Sequence, residues 1–226
     1  MKKRYERNMA ALTAAENERL REFKVCVIGC GGLGGYVIEH LARLGIGHIT
    51  AVDGDVFEES NLNRQILSDE TVLGLNKAVV AEERIKKVNS DVRLTAINEY
   101  ITEKNSETIL SGHDVVVDAL DNIHARILIG EAAQKLGIPI IHGAIAGWYG
   151  QVCVIAPGVP IYDKLYHGST EEGMESVLGN LPFTAAVIAA IQASEAVKVL
   201  LGREDALSGR LLTVDLIQNE YIIYEL

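Results

Sequence analysis

The sequence is poor in cysteine, and its few cysteines are not arranged in pairs. Cys26, Cys30 and Cys153 are the three cysteines among 226 residues, and no Cys-x-x-Cys spacing occurs. Disulfide frameworks and cysteine-bound zinc sites both depend on paired cysteines. The sequence therefore predicts a fold stabilised by a hydrophobic core, without a disulfide framework or a cysteine metal cluster.

Positive charge is also scarce. The chain has 21 Lys and Arg residues against 31 Asp and Glu residues, a formal net charge of −10. Nucleic acids and anionic membranes attract proteins through clustered positive surface, so we expect neither as a partner. The local exception is the N-terminal stretch MKKRYER, which contains Arg7 and either forms a solvated tail or serves a site.

Long hydrophobic runs are absent as well. No stretch approaches about 18 consecutive apolar residues, and the N-terminus lacks the pattern of a signal peptide. The overall hydrophobic content of 48% is enough for a sizeable core at this length. We therefore expect a cytoplasmic protein with a single domain over residues 1–226.

Short apolar runs typical of buried parallel strands alternate with segments of helical periodicity. This alternation predicts a doubly wound, Rossmann-like α/β fold with a mostly parallel sheet and antiparallel C-terminal strands. We divide the domain into an N-terminal arm and helix (1–23), a nucleotide-binding core (24–145) and a C-terminal part (146–226) with a long loop over 157–180. The predicted strands are 24–29, 48–53, 92–98, 113–120, 138–147, 148–158, 211–216 and 220–226, and the predicted helices are 8–22, 33–45, 75–89, 123–137 and 182–202.

The first predicted strand runs into a glycine-rich turn, GCGGLG, at residues 29–34. The turn has the spacing G-x-G-x-x-G, and Asp53 ends the next strand, 24 residues beyond the first glycine. Glycines let a phosphate approach the backbone at a helix N-terminus, and such an aspartate accepts hydrogen bonds from ribose hydroxyls. The pattern predicts a nucleotide site, but NAD and ATP fit it equally because both contain a ribose and phosphates.

Further polar residues follow the predicted strands and favour a triphosphate. In a doubly wound sheet the loops at the carboxyl ends of the strands meet in one crevice. Cations held there suit a triphosphate, and a carboxylate suits a phosphate-bound Mg²⁺. Taken singly, each residue also fits an ordinary surface position, and Asp121 could instead cap the helix that begins near Ile123. The residues concerned are Asp55, Asn61, Asn63, Arg64, Gln65, Lys77, Asp121, Asn122 and Arg126.

Together these motifs resemble those of the ubiquitin-activating-like adenylyltransferases, the ThiF/MoeB/HesA family. RYERNM, GCGGLGG, VDGDVFEESNLNRQ, LNKA and ALDN occur in order over nearly the whole chain. The resemblance implies that the C-terminal glycine carboxylate of a ubiquitin-fold sulfur carrier attacks the α-phosphate of ATP, which gives an acyl adenylate and pyrophosphate. It implies ATP and Mg²⁺ as cofactors, a carrier ending in Gly-Gly, a homodimer, and a place in thiamine or molybdopterin biosynthesis.

The resemblance also implies roles for individual residues. Asp53 would hold the ribose, Asp121 would hold the Mg²⁺, and Arg7 of one subunit would enter the active site of the other. Arg7, Arg64 and Asp121 would be catalytic by positioning groups and stabilising charge. The implied ATP contacts are Gly29, Gly31, Gly32, Leu33, Asp53, Asp55, Asn61, Arg64, Gln65, Lys77, Leu120, Asp121, Asn122 and Arg126.

No catalytic histidine is expected, because a glycine carboxylate is already ionised at neutral pH and needs no general base. We interpret the six histidines as structural or exposed. Cys30 fits either a small residue at a tight turn or a thiol activated by a helix N-terminus. The histidines are His40, His48, His113, His124, His142 and His167.

The chain departs from many bacterial members of the family in two respects. Ile161 and Lys164 stand where the first Cys-x-x-Cys pair of a structural zinc site falls in those members, so we expect no zinc. The predicted loop over 157–180 has no cysteine that could capture the carrier as a thioester or persulfide. The expected activity therefore stops at the acyl adenylate.

Three other functions stay open at this point. The enzyme could adenylate a carboxylate that is not on a protein, as a tRNA threonylcarbamoyladenosine dehydratase does. It could be a catalytically inert nucleotide-binding partner subunit. Such a subunit would have lost catalytic residues, but Arg7, Arg64, Lys77 and Asp121 are all present. A nicotinamide or flavin dehydrogenase is disfavoured, since it has no use for Asn61 and Arg64.

Overall fold

The computed structural model describes residues 2–166 and 175–226. Its strands form an eight-stranded sheet with the order β3-β2-β1-β4-β5-β6-β7-β8. β1 to β5 pair in parallel, and β6, β7 and β8 are antiparallel to their neighbours. The predicted doubly wound sheet with antiparallel C-terminal strands is thus confirmed. The strands are β1 Lys24–Ile28, β2 His48–Val52, β3 Arg93–Ile97, β4 Val115–Asp118, β5 Ile140–Ala146, β6 Tyr149–Ile155, β7 Arg210–Asp215 and β8 Glu220–Glu225.

Helices cover both faces of the sheet and bury its apolar residues in two clusters. On one face α2, α3 and α8 pack against Val25 and Val27 of β1. On the other face α4, α5 and α6 pack against Cys26 and Ile28 of the same strand. Successive residues of a strand point to opposite faces, so a strand covered on both sides is apolar throughout. The helices are α1 Ala14–Arg19, α2 Gly32–Leu44, α3 Lys77–Val88, α4 Ser106–Leu110, α5 Ile123–Leu136, α6 Ile161–Tyr166, α7 Glu175–Leu178 and α8 Pro182–Leu201.

Helix α8 is the most apolar of the described helices. By length and composition alone it would suffice to cross a membrane, with a mean hydropathy of 1.5 over its best window. Half of that window is buried inside the protein, and the helix packs against α2, β4, β5 and β6. The packing accounts for its composition, since core helices are apolar on most faces.

The segment predicted as a long loop over 157–180 contains two helices, α6 and α7, and the loop prediction is wrong for those residues. Tyr162 of α6 is buried and packs so closely on α5 that a Cβ added to Gly130 would lie 2.6 Å from its ring. Residues 167–174, including His167, lie outside the described residues. α4 was also not predicted. Helices of four to six residues are too short to show a helical period in sequence.

Candidate active site

A cavity of about 470 Å³ opens at the carboxyl ends of the parallel strands. It lies where the strand order reverses, between β1 and β4, which is where doubly wound sheets bind nucleotides. The walls come from the turn after β1, the segment after β2, the start of α3, the segment after β3 and the turn after β4.

The glycine-rich turn forms one end of this cavity. Gly29 has φ +93°, and a Cβ there would lie 2.6 Å from the carbonyl oxygen of Ala119, so no other residue fits without strain. α2 begins at Gly32 with Gly31 as its N-cap, and among the described residues no side chain caps the helix. The amide groups of the first turn therefore remain available to bind an anion such as a phosphate.

Asp53 directly follows β2 and is fixed by two backbone amides. Its Oδ2 accepts from the amide of Cys30 at 2.7 Å, and its Oδ1 accepts from the amide of Asp55 at 2.9 Å. Burial raises the pKa of Asp53, and the two amide donors together with Lys77 oppose that shift. The carboxylate is thus held in one orientation beside the glycine-rich turn.

Two cations and an amide side chain line the same end of the cavity. Lys77 is only 6% exposed, and its Nζ lies 2.5 Å from Oδ2 of Asp55. Burial acts to raise the pKa of Asp55, but the hydrogen bond and charge of Lys77 together with the amide of Val56 outweigh it, so the pKa is lowered. Arg64 Nη1 donates to the carbonyl oxygen of Ser60 at 3.0 Å, which orients its guanidinium. The Oε1 of Gln65 is buried without a partner among the described residues.

Asp121 lies in the turn after β4 with its carboxylate exposed to the cavity. The N-cap of α5 is Asn122, whose Oδ1 accepts from the amide of Ala125 at 3.0 Å. The alternative that Asp121 caps this helix is therefore wrong. None of the side chains that the structure describes forms a hydrogen bond or an ion pair with the Asp121 carboxylate, so it can bind a ligand.

Arg126 is placed differently from the other cations. It lines the cavity but is 6% exposed, and its guanidinium donates to the carbonyl oxygen of Leu120 and to the hydroxyl of Tyr166. Its Nε lies 3.6 Å from Oδ2 of Asp118, which is fully buried. Arg126 thus belongs mainly to a buried polar network beneath the cavity.

The structure brings all of the predicted ATP contacts to the cavity except Asn61. The Oδ1 of Asn61 accepts from the amide of Glu58 at 3.1 Å and closes a 3-10 turn. The phosphate contact of Asn61 stays a prediction that this geometry does not favour. The predicted residues that line the cavity are Gly29, Gly31, Gly32, Leu33, Asp53, Asp55, Arg64, Gln65, Lys77, Leu120, Asp121, Asn122 and Arg126.

The outer part of the cavity was missed by sequence reasoning. It is mainly aromatic and aliphatic, and its residues follow β3 or lie in the first turns of α5. The position directly after a parallel strand was the available signal, because the segments after β1, β2 and β4 were identified in that way. These residues include Tyr100, Ile101, His124, Ala125 and Leu128.

Arg7 lies at the far end of the molecule from this cavity. It belongs to a 3-10 helix, Lys3–Asn8, in which Tyr5 is buried and Asn8 donates to the carbonyl oxygen of Leu44 at 3.3 Å. Helix α2 is 13 residues long, from Gly32 in the glycine-rich turn to Leu44, so its two ends are about 20 Å apart. Arg7 therefore does not reach the cavity of its own chain.

A second cavity, also about 470 Å³, adjoins the first. The two share Asp121, Arg126 and Ile145 as wall residues. The other walls come mainly from the antiparallel strands and include Tyr149 and Ile222.

The three cysteines are all buried. Burial raises the pKa of Cys153 to about 12 and also raises the pKa of Cys26 and Cys30. The Asp53 carboxylate raises the pKa of Cys30 further. Because the thiolate is the reactive form, none of the three is set up as a nucleophile, and the activated-thiol alternative for Cys30 is not favoured.

The cavity has the features of a site for a nucleotide with several phosphates in a Rossmann-like fold: an open helix N-terminus, a fixed carboxylate and two cations. The model of the ThiF family matches residues 5–225, nearly the whole chain. The chain therefore belongs to the ThiF family, which confirms the resemblance that its motifs indicated.

Two relatives and one solved structure agree with this assignment. The SAMP-activating enzyme E1 of Haloferax volcanii is 39% identical over 203 residues, covering 87% of this chain and 74% of the relative. The sulfur carrier protein adenylyltransferase of Thermus thermophilus is 38% identical over 216 residues, covering 90% and 79%. The crystal structure of E. coli MccB with ATP has a TM-score of 0.83, covering 100% of this chain and 71% of that chain, and its 22% identity shows the common fold. The protein is thus an adenylyltransferase, an enzyme that uses ATP as the donor of AMP.

Proposed function

We propose that this adenylyltransferase activates the C-terminal glycine carboxylate of a ubiquitin-fold sulfur-carrier protein. The relative named sulfur carrier protein adenylyltransferase, which is 38% identical over 90% of this chain, supports this substrate class. The observation in the structure that carries the proposal is the junction of the two cavities at Asp121. One cavity suits ATP, and the other leads along the antiparallel strands to the same point.

The proposed reaction is a displacement at the α-phosphorus of ATP. A carboxylate oxygen of the carrier forms a bond to phosphorus, the bond from phosphorus to the bridging oxygen breaks, and pyrophosphate leaves with the electron pair. No proton is transferred, so the proposed reaction needs no general base. Arg64, Lys77 and the amides at the start of α2 would offset the charge that grows on the phosphate oxygens.

Asp121 is the residue that we propose as a ligand of Mg²⁺. A carboxylate is the type of oxygen ligand that Mg²⁺ prefers, and this one is exposed to the cavity without a partner among the described residues. The described residues contain no cluster of three or more His, Cys, Asp or Glu side chains suited to a metal. Mg²⁺ commonly binds through one or two carboxylates and the phosphates of its substrate, so a single carboxylate fits. When bound, the ion would neutralise charge on the phosphates.

We further propose a homodimer in which Arg7 of one subunit acts in the cavity of the other. Each arm is held on its own chain at the far end of α2, so a catalytic role for Arg7 requires a second copy. α2 and α8 pack side by side on one face of the sheet, and both begin near the cavity and end near the arm. A twofold axis across these helices would place the arm of one copy near the cavity of the other.

The proposed activity ends at the acyl adenylate. The three cysteines are buried with raised pKa values, and the segment from residue 157 to 180 contains none. The adenylate would therefore pass to a thiol or a small nucleophile supplied by another molecule. We propose the cytoplasm as the place of the reaction, with no nucleic acid or membrane as partner.

The test is exchange of labelled pyrophosphate into ATP by the purified protein. We expect exchange in the presence of Mg²⁺ and a small carrier protein ending in Gly-Gly, and none with a carrier that lacks the last glycine. Exchange with a threonylcarbamoylated tRNA and no carrier would replace the proposal with the dehydratase function. Tight ATP binding without exchange under either condition would indicate an inert partner subunit.

A further inference from the structure

The backbone of Leu120, the residue before Asp121, is held at both its amide and its carbonyl group by one buried ion pair. The amide of Leu120 donates to Oδ1 of Asp118 at 3.1 Å, and the carbonyl oxygen of Leu120 accepts from Nη2 of Arg126. Asp118 and Arg126 also face each other, with Nε of Arg126 3.6 Å from Oδ2 of Asp118. Their exposed fractions are 0% and 6%. Both hydrogen-bonding groups of Leu120 are thus fixed next to the proposed metal ligand.

Two tyrosines and a histidine complete this network. Oδ2 of Asp118 accepts from Nδ1 of His142 at 2.8 Å and from the hydroxyl of Tyr162 at 2.7 Å. Nε2 of His142 lies 3.2 Å from the hydroxyl of Tyr166, which also accepts from Arg126. These contacts are consistent with a neutral His142 that carries its proton on Nδ1 and accepts from Tyr166 at Nε2, which also lies 3.3 Å from Nε2 of Gln151.

Burying this network is costly, and what the network provides in return is a fixed geometry. An isolated charge loses several kcal/mol of hydration when it is buried, and a buried ion pair adds little to stability compared with apolar side chains of the same volume. The network instead fixes geometry, because side chains from β5, α5 and α6 converge on the carboxylate of Asp118 at the end of β4. α6 contributes both tyrosines, so this helix is tied directly to the turn that carries Asp121.

The contacts of Arg126 also distinguish it from a ligand of ATP. Arg64 and Lys77 have their charged groups at the glycine-rich end of the cavity. The two terminal nitrogens of Arg126 instead bind Leu120 and Tyr166, and Nη2 also lies 3.3 Å from the carbonyl oxygen of Gly143. The guanidinium is therefore committed to the protein itself.

We propose that Arg126 is a positioning residue that fixes the Asp121 carboxylate for metal-bound ATP, and that Tyr166 holds Arg126 in place. The inference rests on the proposed role of Asp121 as a ligand of Mg²⁺. Residues that orient metal ligands in this way affect metal affinity by about 10- to 100-fold when they are replaced. They leave binding of the metal-free nucleotide unchanged, because they do not touch it.

The test is ATP binding by isothermal calorimetry, with and without Mg²⁺, for Arg126→Lys and Tyr166→Phe. For both variants we expect metal-free ATP to bind within about twofold of the wild type. Mg²⁺ is expected to increase the affinity for ATP. We expect the Mg²⁺ concentration that gives half of this increase to rise about tenfold in both variants. Arg84→Lys is the matched control, because Arg84 pairs with Glu39 on the other side of the sheet, away from the cavity.

Two results would overturn the inference. A tenfold loss of metal-free ATP affinity in Arg126→Lys would make Arg126 a ligand of the nucleotide. If that Mg²⁺ concentration is unchanged in both variants, the network stabilises the fold and does not position Asp121. Tyr166→Phe removes one hydroxyl, so it tests the inference even if Arg126→Lys does not fold. ATP binding is measured without a carrier, so the result is separate from a failure of the proposed carrier reaction.

Discussion

Tyr5 and Gly45 are in such close contact that a Cβ on Gly45 would lie 2.7 Å from the ring of Tyr5. Gly45 ends α2 with φ +100°, and Tyr5 belongs to the N-terminal arm. The hydroxyl of Tyr5 accepts from Nδ2 of the buried Asn89 at 2.8 Å. This contact fixes the arm, and with it Arg7, at the end of α2 remote from the cavity.

Replacing Arg7 with alanine is expected to lower carrier-dependent pyrophosphate exchange by about 100-fold, the cost of losing one group that stabilises transition-state charge. Sedimentation should show the same oligomeric state, because Arg7 is exposed and has no fixed partner among the described residues. Lys3→Ala, also exposed on the arm, is the control and should exchange at the wild-type rate. An Arg7→Ala enzyme of full activity would remove Arg7 from the active site.

Mixing inactive variants tests whether Arg7 acts across a dimer. Arg7→Ala and Asp121→Ala subunits, mixed after mild dissociation, should recover about a quarter of the wild-type exchange rate. Random pairing makes about half of the dimers mixed, and each mixed dimer has one intact site of two. Recovery is measured against each variant treated alone. If mixing restores nothing although mixed dimers form, Arg7 does not act in trans.

Gly45→Ala is expected to lower the free energy of unfolding by about 2 kcal/mol or more, measured by urea denaturation. The positive φ disfavours a Cβ, and the Tyr5 ring occupies its place. Gly202→Ala is a matched control, because Gly202 ends α8 at φ +71° with nothing within 4 Å of the added Cβ. Gly202→Ala isolates the backbone strain at positive φ and should lower the free energy of unfolding by about 1 kcal/mol. Equal losses in the two variants would contradict the contact with Tyr5.

The native protein should show no reactive thiol. Cys26, Cys30 and Cys153 are buried with raised pKa values, so a thiol reagent should label them only at the rate of unfolding. Incubation with ATP, Mg²⁺ and carrier should give no adduct that a reductant releases, as followed by mass spectrometry. Cys30→Ala should retain exchange within about twofold, since its amide, not its thiol, contacts Asp53. A reductant-sensitive conjugate with the carrier would contradict this prediction.

Acidification should destabilise the protein partly through His142. Burial lowers the pKa of His142 below its ordinary value, although Asp118 opposes the shift. Below about pH 6.5 the unfolded chain therefore takes up a proton that the folded chain refuses, and the unfolding free energy falls as the pH falls. The loss approaches about 1.4 kcal/mol per pH unit for one full proton.

The variant His142→Gln checks this pH dependence, because glutamine donates to Asp118 without titrating. Its unfolding free energy between pH 7 and pH 5 should depend less on pH than that of the wild type. His40, His48 and His113 also have lowered pKa values, mainly through burial, and account for the slope that remains. Parallel curves for the two proteins would show that His142 does not contribute.

The sequence predicted the fold well because its patterns are local. The run from Val25 to Ile28 is apolar on both faces, and Gly45 and Gly137 end their helices with positive φ. α6 was missed because its burial depends on Tyr162 meeting Gly130 of another helix. The contact of Asn61 with ATP stays a prediction from its place in a motif, and only the structure shows that its Oδ1 accepts from the amide of Glu58.

By itself the sequence determined the doubly wound sheet, the membership of the ThiF family and most of the residues around the cavity. The sheet and the residues around the cavity follow from strand and helix periods and from the rule that strand ends meet at one edge of a sheet. The family follows from the resemblance of the ordered motifs, which the family model confirms. Only the tertiary structure decided that Asn122 and not Asp121 caps α5, that Arg126 faces the buried Asp118, and that the arm with Arg7 packs at the end of α2 remote from the glycine-rich turn. Each of these depends on where distant segments meet, and no local pattern specifies a contact between segments that are far apart in sequence.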